Sequence, residues 1–123
     1  MRAAISEAAL ASAQVSEMAG KQSFCFEQNF IGFAGHFPEY PILPAVLQVL
    51  LAQMLAEEVI GVPLVVHSLI RAKFTQQLRP GDQIDVQLRC KEKDGGFHCA
   101  TELQVGGQRA ASFTLVLNWE EKV

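Results

Sequence analysis

Residues 44–60, PAVLQVLLAQMLAEEVI, decide the fold. Leu, Val, Ala and Met dominate the run, and neither Gly nor Pro interrupts it after Pro44. Proline suits the start of a helix, and Gly61 and Pro63 supply a stop, so Ala45 to Ile60 is read as a helix. Its polar positions are Gln48, Gln53, Glu57 and Glu58. A helix this apolar has to be buried on most of its circumference. It is too short and too interrupted to span a membrane, which takes about 18–20 apolar residues.

Downstream the apolar period changes to two. Leu64 to Phe74 is strand-like and leads into the turn Leu78-Arg79-Pro80-Gly81-Asp82. Gln83 to Lys91 alternates Ile84, Val86, Leu88 and Cys90 with polar neighbours, and Asp94-Gly95-Gly96 is a turn. Phe97 to Val105 is the next strand, Gly106-Gly107 is a tight hairpin signal, and Gln108 to Trp119 closes the pattern. Upstream, Lys21 to Phe30 reads as one more strand through Phe24, Phe26 and Phe30. Residues 32–44, with Pro38, Pro41 and Pro44, are irregular. Residues 1–20 are Ala- and Ser-rich and read as a short helix or an arm. Residues 21–123 then form a single domain of α+β class, an antiparallel sheet packed on one long helix. One sheet cannot cover such a helix, so a second copy is expected to finish the burial.

A chain of 123 residues, half of them apolar and 19% charged, fits one globular domain and not a disordered segment. Ten Lys and Arg against 13 Asp and Glu leave a net charge of −3, with no basic excess for a nucleic acid. No Leu-rich secretory signal is read, so the expected location is cytoplasmic. Cys25, Cys90 and Cys99 lack C-x-x-C spacing and read as reduced, buried thiols. His36, His67, His98 and the cysteines show no metal-ligand spacing, and there is no nucleotide loop. No metal or resident cofactor is expected.

The chemistry is concentrated in Gly35-His36-Phe37-Pro38-Glu39-Tyr40-Pro41-Ile42-Leu43-Pro44-Ala45-Val46-Leu47. This proline-clamped loop delivers a histidine beside the N-terminus of a buried helix. Free N–H groups and the positive dipole end there suit a carbonyl oxygen that gains charge. A neutral imidazole beside that site suits a general base for a proton alpha to the carbonyl. A histidine in a Pro-rich loop can equally be structural, and the residues alone leave both readings open. His67, in an apolar strand, and His98, after a Gly-Gly turn, read as structural.

The loop resembles the signature of the bacterial 3-hydroxyacyl-(acyl carrier protein) dehydratases of the FabA/FabZ type, roughly G-H-F-P-x-x-P-x-x-P-G-V-L ahead of a long helix. Gly35, His36, Phe37, Pro38, Pro41, Pro44, Val46 and Leu47 match in spacing. Ile70-Arg71-Ala72-Lys73-Phe74 and Arg79-Pro80-Gly81-Asp82 look like the same family's A-K/R-F segment and P-G-D turn. The likeness covers roughly residues 22 to 118. It implies a hot-dog fold, a sheet wrapped around the Ala45 to Ile60 helix. It also implies a homodimer, or a trimer of dimers, with active sites at the dimer interface. The implied substrate, in fatty acid biosynthesis, is a 3-hydroxyacyl thioester carried on the phosphopantetheine of an acyl carrier protein or on coenzyme A. The resemblance gives His36 the C2 proton and the backbone N–H of Ala45 the thioester carbonyl. Gly35, Phe37 and Pro38 shape the substrate loop, and a carboxylate on the partner's central helix protonates the departing 3-hydroxyl.

Two positions depart from that pattern. Ala45 replaces the family glycine. Leu50 stands fourteen residues after His36, at the position of the family acid. Losing a positioned general acid forfeits about 10²–10⁴ in rate. Glu57 projects about 20° from Leu50 but lies ~10 Å further along the axis, whereas Gln53 is about 60° away and ~4.5 Å along. Glu39, on the loop, is the third possible substitute. Gln48 points nearly opposite to Leu50 and is expected at an interface. Arg71, Lys73 and Arg79 form a basic edge suited to an acidic carrier protein. Three functions follow: a dehydratase, a non-catalytic carrier-binding or partner subunit of a heteromeric dehydratase, and a hot-dog acyl thioesterase.

Overall fold

In a computed structural model of the chain, which describes residues 1–33 and 39–120, the central helix α2 spans Ala45–Ile60, the bounds read from the sequence. It ends on Gly61, whose φ of 87° is open to a residue without Cβ and whose N–H bonds the Glu57 carbonyl at 2.8 Å. Ahead of α2 come helix α1 (Arg2–Ala8), strands β1 (Gln14–Ser16) and β2 (Ala19–Cys25), and a 3₁₀ turn at Ile31–Phe33. Behind it come β3 (Leu64–Phe74), β4 (Gln83–Lys93), β5 (Gly96–Val105) and β6 (Gln108–Trp119). The six strands make one antiparallel sheet in the order β1-β2-β4-β5-β6-β3. The architecture is the α+β class expected.

The alternation in the strands sets which face meets α2. Ile84, Val86, Leu88 and Cys90 of β4, Phe97, Cys99 and Leu103 of β5, and Phe113, Leu115 and Leu117 of β6 are buried in one core. Leu47, Leu51, Ala52, Leu55 and Ala56 of α2 belong to the same core. β2 comes close to α2 at Gly20, where a Cβ would meet Val59 Cγ2 at 2.6 Å. The β5–β6 hairpin turns on Gly106 and Gly107, both at positive φ (59° and 78°), the geometry that matches strand twist.

β4 runs on to Lys93 and β5 starts at Gly96, each a little beyond the expected bounds, and the upstream segments differ more. The strand expected over Lys21 to Phe30 begins at Ala19 and ends at Cys25. Phe26 and Phe30 instead turn into an aromatic cluster with Phe33, their ring centroids 4.4 Å apart, and Phe26 gives its carbonyl to the Gly81 N–H. Residues 1–20 are tied into the domain: Ile5 is fully buried, Ala9 bridges Phe24, and β1 pairs with β2.

Cys90 and Cys99 are buried and face each other across β4 and β5, with Sγ atoms 2.8 Å apart. The Cys90 N–H bonds Met18 O on the β2 side, so the pair occupies a non-hydrogen-bonded position, where facing side chains come closest. The shared S–H···S contact holds the Cys90 thiol below its usual range and pushes Cys99 above it. Cys25 is half-buried.

The sheet and α2 do not cover each other completely. Val46 is 72% exposed at the start of α2. β3 pairs with β6 on one side only, and Val65, Val66, Leu69, Ile70 and Phe74 along it are exposed. By register Val66, Leu69 and Phe74 share the face of buried Leu117, Leu115 and Ala111, which is the helix side. An eleven-residue apolar edge strand of this kind is a ready surface for another chain. Among the described residues, no helix is long and apolar enough to cross a membrane.

Candidate active site

Pro44 caps α2 in an extended conformation without a side-chain hydrogen bond. Its carbonyl accepts from the N–H groups of Leu47 and Gln48, at 3.0 and 3.1 Å. Ala45 and Val46 lie in the first turn, where N–H groups have no acceptor within the helix. Ala45 is exposed at the positive end of α2. Gly35, His36, Phe37 and Pro38, the expected base and substrate loop, lie outside the described residues.

The segment that feeds α2 is held at Leu43. Its N–H bonds Leu78 O at 2.8 Å, and its carbonyl accepts from Gln48 Nε2 at 3.0 Å. Gln48 therefore does not lie at an exposed interface. It is 4% exposed, inside the core, and its Oε1 has no partner among the described residues. The direction read from the helical wheel is right, but the side opposite Leu50 is the sheet side.

Leu50 is half-buried and packs against the core edge. The two polar residues on its side of α2 are both engaged. Gln53 Nε2 donates to the carbonyl of Leu64 at 2.9 Å, and Glu57 Oε2 accepts from the N–H of Leu64 at 2.9 Å. Together they clamp the first residue of β3. Glu57 also pairs with Arg2 of α1. α2 thus presents an apolar surface at Val46 and Leu50, and its carboxylate further along serves to anchor β3. Glu57→Gln keeps an acceptor for Leu64, so it is expected to hold turnover and to melt within ~1 kcal/mol of the parent. Glu57→Ala leaves the Leu64 N–H without that acceptor and is expected to cost about 1–3 kcal/mol in a denaturant titration. A large turnover loss in Glu57→Gln would return Glu57 to the candidate acids.

Glu39 is exposed next to Tyr40. The Arg79 guanidinium lies 5.7 Å from the centre of the Tyr40 ring, and the Arg79 N–H bonds Asp82 Oδ2 at 2.9 Å. Arg79 therefore sits against the Pro-rich loop. Arg71 joins a different group, with Lys21, Arg89 and Arg109 around a hollow that neither Lys73 nor Arg79 lines. The basic edge expected from Arg71, Lys73 and Arg79 is not one cluster: Lys73, paired with Ser112, does not line that hollow, and Arg79 lies beyond β3 against Tyr40. His67 is exposed on β3 beside Ser68, and His98 is half-buried on β5.

The family model described as ApeI-like, ApeI dehydratase, matches residues 12–113. The chain belongs to the ApeI-like dehydratase family. It is similar to the 3-hydroxyacyl-(acyl-carrier-protein) dehydratase FabZ of Thermotoga petrophila, 38% identical over 96 residues, which covers 73% of this chain and 69% of that one. Against FabZ of Syntrophobacter fumaroxidans the identity is 29% over 109 residues, 81% of this chain and 73% of the other. Among solved structures, it resembles the dehydratase heterocomplex ApeI:P from Xenorhabdus doucetiae. There the TM-score is 0.75 at 22% identity, over 89% of this chain and 96% of that one. PaaI of the E. coli phenylacetic acid degradation operon aligns with a TM-score of 0.67 at 12% identity, over 89% of this chain and 80% of that one. The fold of this family member is the hot-dog fold, with α2 as the central helix.

Proposed function

We propose that this chain is the histidine-bearing subunit of a 3-hydroxyacyl thioester dehydratase, and that its acid comes from a homologous subunit. The observation that carries the reading is the state of α2. Leu50 stands at the family acid position, and Gln53 and Glu57 are spent on Leu64. In the proposed reaction, His36 takes the C2 proton of the substrate. Negative charge that gathers on the thioester oxygen is met by the Ala45 N–H and the dipole of α2. The C3–O bond breaks as a carboxylic acid on the second subunit's central helix protonates the leaving hydroxyl. Water and a trans-2-enoyl thioester leave.

Three observations support this. The chain's relatives are named 3-hydroxyacyl-(acyl-carrier-protein) dehydratases. A similar solved structure is described as a dehydratase heterocomplex. The free apolar edge of β3 and the exposed Val46 offer a surface for a second subunit on the side where Leu50 lies. The substrate's carrier, an acyl carrier protein or coenzyme A, would approach by the Pro-rich loop, with Arg79 beside Tyr40 as its basic contact.

The test is to give α2 its own carboxylate. Dehydration of a 3-hydroxyacyl carrier protein by Leu50→Glu is expected to exceed that of the parent chain by about 10²–10⁴-fold. Adding His36→Ala should remove the gain. A folded Leu50→Glu protein with no gain would overturn the reading that the missing acid limits this chain.

A further inference from the structure

Arg71 has a φ of 54°, in the left-handed region that an arginine seldom adopts. It lies in the register shift of β3, where Ile70 pairs with Thr114 but Lys73 pairs with Ser112. Such a bulge re-aims a side chain. Here it places Arg71 at a hollow of about 760 Å³ that residues of both sheet edges, β1 and β3, help to line. That volume falls within the ~300–1,000 Å³ typical of small-molecule sites.

The floor of the hollow follows from strand register. One cross-strand row is Lys21, Gln87, Glu102 and Ser112, and the next is Ala19, Arg89, Ala100 and Thr114. These positions alternate with the buried residues that face α2, so the hollow is on the opposite side of the sheet from the candidate active site. Ala19, Ala100, Ser112 and Thr114 are short, which keeps the floor low. Lys21, Arg71, Arg89 and Arg109 stand around it.

The charge balance is one-sided. Four cations surround one carboxylate, in a chain whose net charge is −3. Glu102 is already satisfied: Gln104 and Arg109 bond it at 2.9 and 3.0 Å, and these bonds hold its carboxyl below the usual range. Lys21, Arg71 and Arg89 have no carboxylate partner among the described residues. Guanidinium forks match phosphate oxygens in geometry, and the hydroxyls of Ser16, Ser112 and Thr114 add neutral donors. Three cations without a carboxylate partner favour a ligand that carries several anionic oxygens, as a diphosphate does.

We propose that this hollow binds a small phosphorylated ligand through a diphosphate or comparable phosphate group, as a site separate from the dehydratase chemistry. The bulge at Arg71 is then the device that brings the third cation over the floor. The source can be a free phosphate anion or the phosphates of a nucleotide, and one experiment separates them.

Isothermal titration of the full chain with inorganic pyrophosphate, adenosine diphosphate and, separately, an acidic acyl carrier protein tests the proposal. Pyrophosphate is expected to bind at low ionic strength and to weaken at physiological salt, since the cations are exposed. Arg71→Gln and Arg89→Gln, checked for intact fold by their melting, are each expected to weaken it by roughly tenfold. Adenosine diphosphate binding more tightly than pyrophosphate would assign the source to a nucleotide, and equal affinity to the diphosphate alone. Three results would overturn the proposal. One is no binding of either anion at low salt. Another is binding that both variants leave unchanged. The last is binding of the carrier protein alone in an Arg89-dependent way.

Discussion

Mixing the parent chain with a His36→Ala, Leu50→Glu double variant is expected to produce dehydratase activity well above that of either protein alone. The parent keeps the proposed base but presents Leu50 where an acid is needed. The double variant keeps an acid but has no base. In a mixed dimer, one of the two sites brings the parent's His36 opposite the introduced carboxylate. The gain over the separate proteins should be of order 10², less the fraction of mixed dimers, because a positioned general acid contributes about 10²–10⁴. Each form carries a different affinity tag, so the mixed dimer can be purified before its rate is measured. A purified mixed dimer no faster than its parents would rule out a site shared between two central helices. It would leave the Leu50→Glu result to be explained within one chain. Activity in the mixture that also survives His36→Ala in the parent would rule out His36 as the base.

The second large effect concerns β3. Leu69→Glu is expected to weaken self-association, or association with a homologous subunit, by about 10²-fold or more. Leu69 is 38% exposed in the single chain, so a charge there can stay hydrated and the fold should hold. Once a second subunit lies along β3, the same charge would be buried without a partner, a cost of several kcal/mol. Sedimentation equilibrium reads the dissociation constant directly, and circular dichroism checks the fold. In the Leu50→Glu background, turnover should fall with the dimer and recover at higher protein concentration. Unchanged association in Leu69→Glu would move the subunit contact away from β3.

The sequence was most legible where a single period ran without interruption. The bounds of α2 came out as read because Pro44 and Gly61 punctuate an unbroken apolar run. β5 and β6 were legible because alternation and the paired glycines Gly95-Gly96 and Gly106-Gly107 mark their ends, and β3 because Pro63 and the Pro80-Gly81 turn bracket it. Gln48 was harder. On a helix apolar nearly all round, no residue pattern states which side meets the sheet, so a polar side chain opposite Leu50 reads as an interface residue. Its burial is explained by the Leu43 carbonyl, which needs a donor inside the core. The basic edge failed for a different reason. Arg71 reaches the hollow through a bulge with a left-handed residue, which alternation does not show, and Lys73 and Arg79 do not line it. Lys21 and Arg89 come near Arg71 only through strand register, which the sequence does not state. The N-terminal segment hid its role because its anchors are scattered: the buried Ile5, the Ala9 bridge to Phe24 and the short β1 pairing with β2.

The order of strands also has a consequence for how the chain reaches this shape. β4, β5 and β6 are neighbours both along the chain and in the sheet, and tight turns join them. Their pairing closes short loops, which costs little chain entropy. β3 must reach β6 across the whole meander, and β2 must reach β4 across α2 and β3. The meander can therefore zip up early, with the long-range closures by β2 and β3 setting the pace. Leu64, gripped by Gln53 and Glu57, ties β3 to α2 through a short loop, a closure that costs less chain entropy than the pairing of β3 with β6. The last surface to be finished is then the free edge of β3, and a subunit would be nearly folded before it meets its partner.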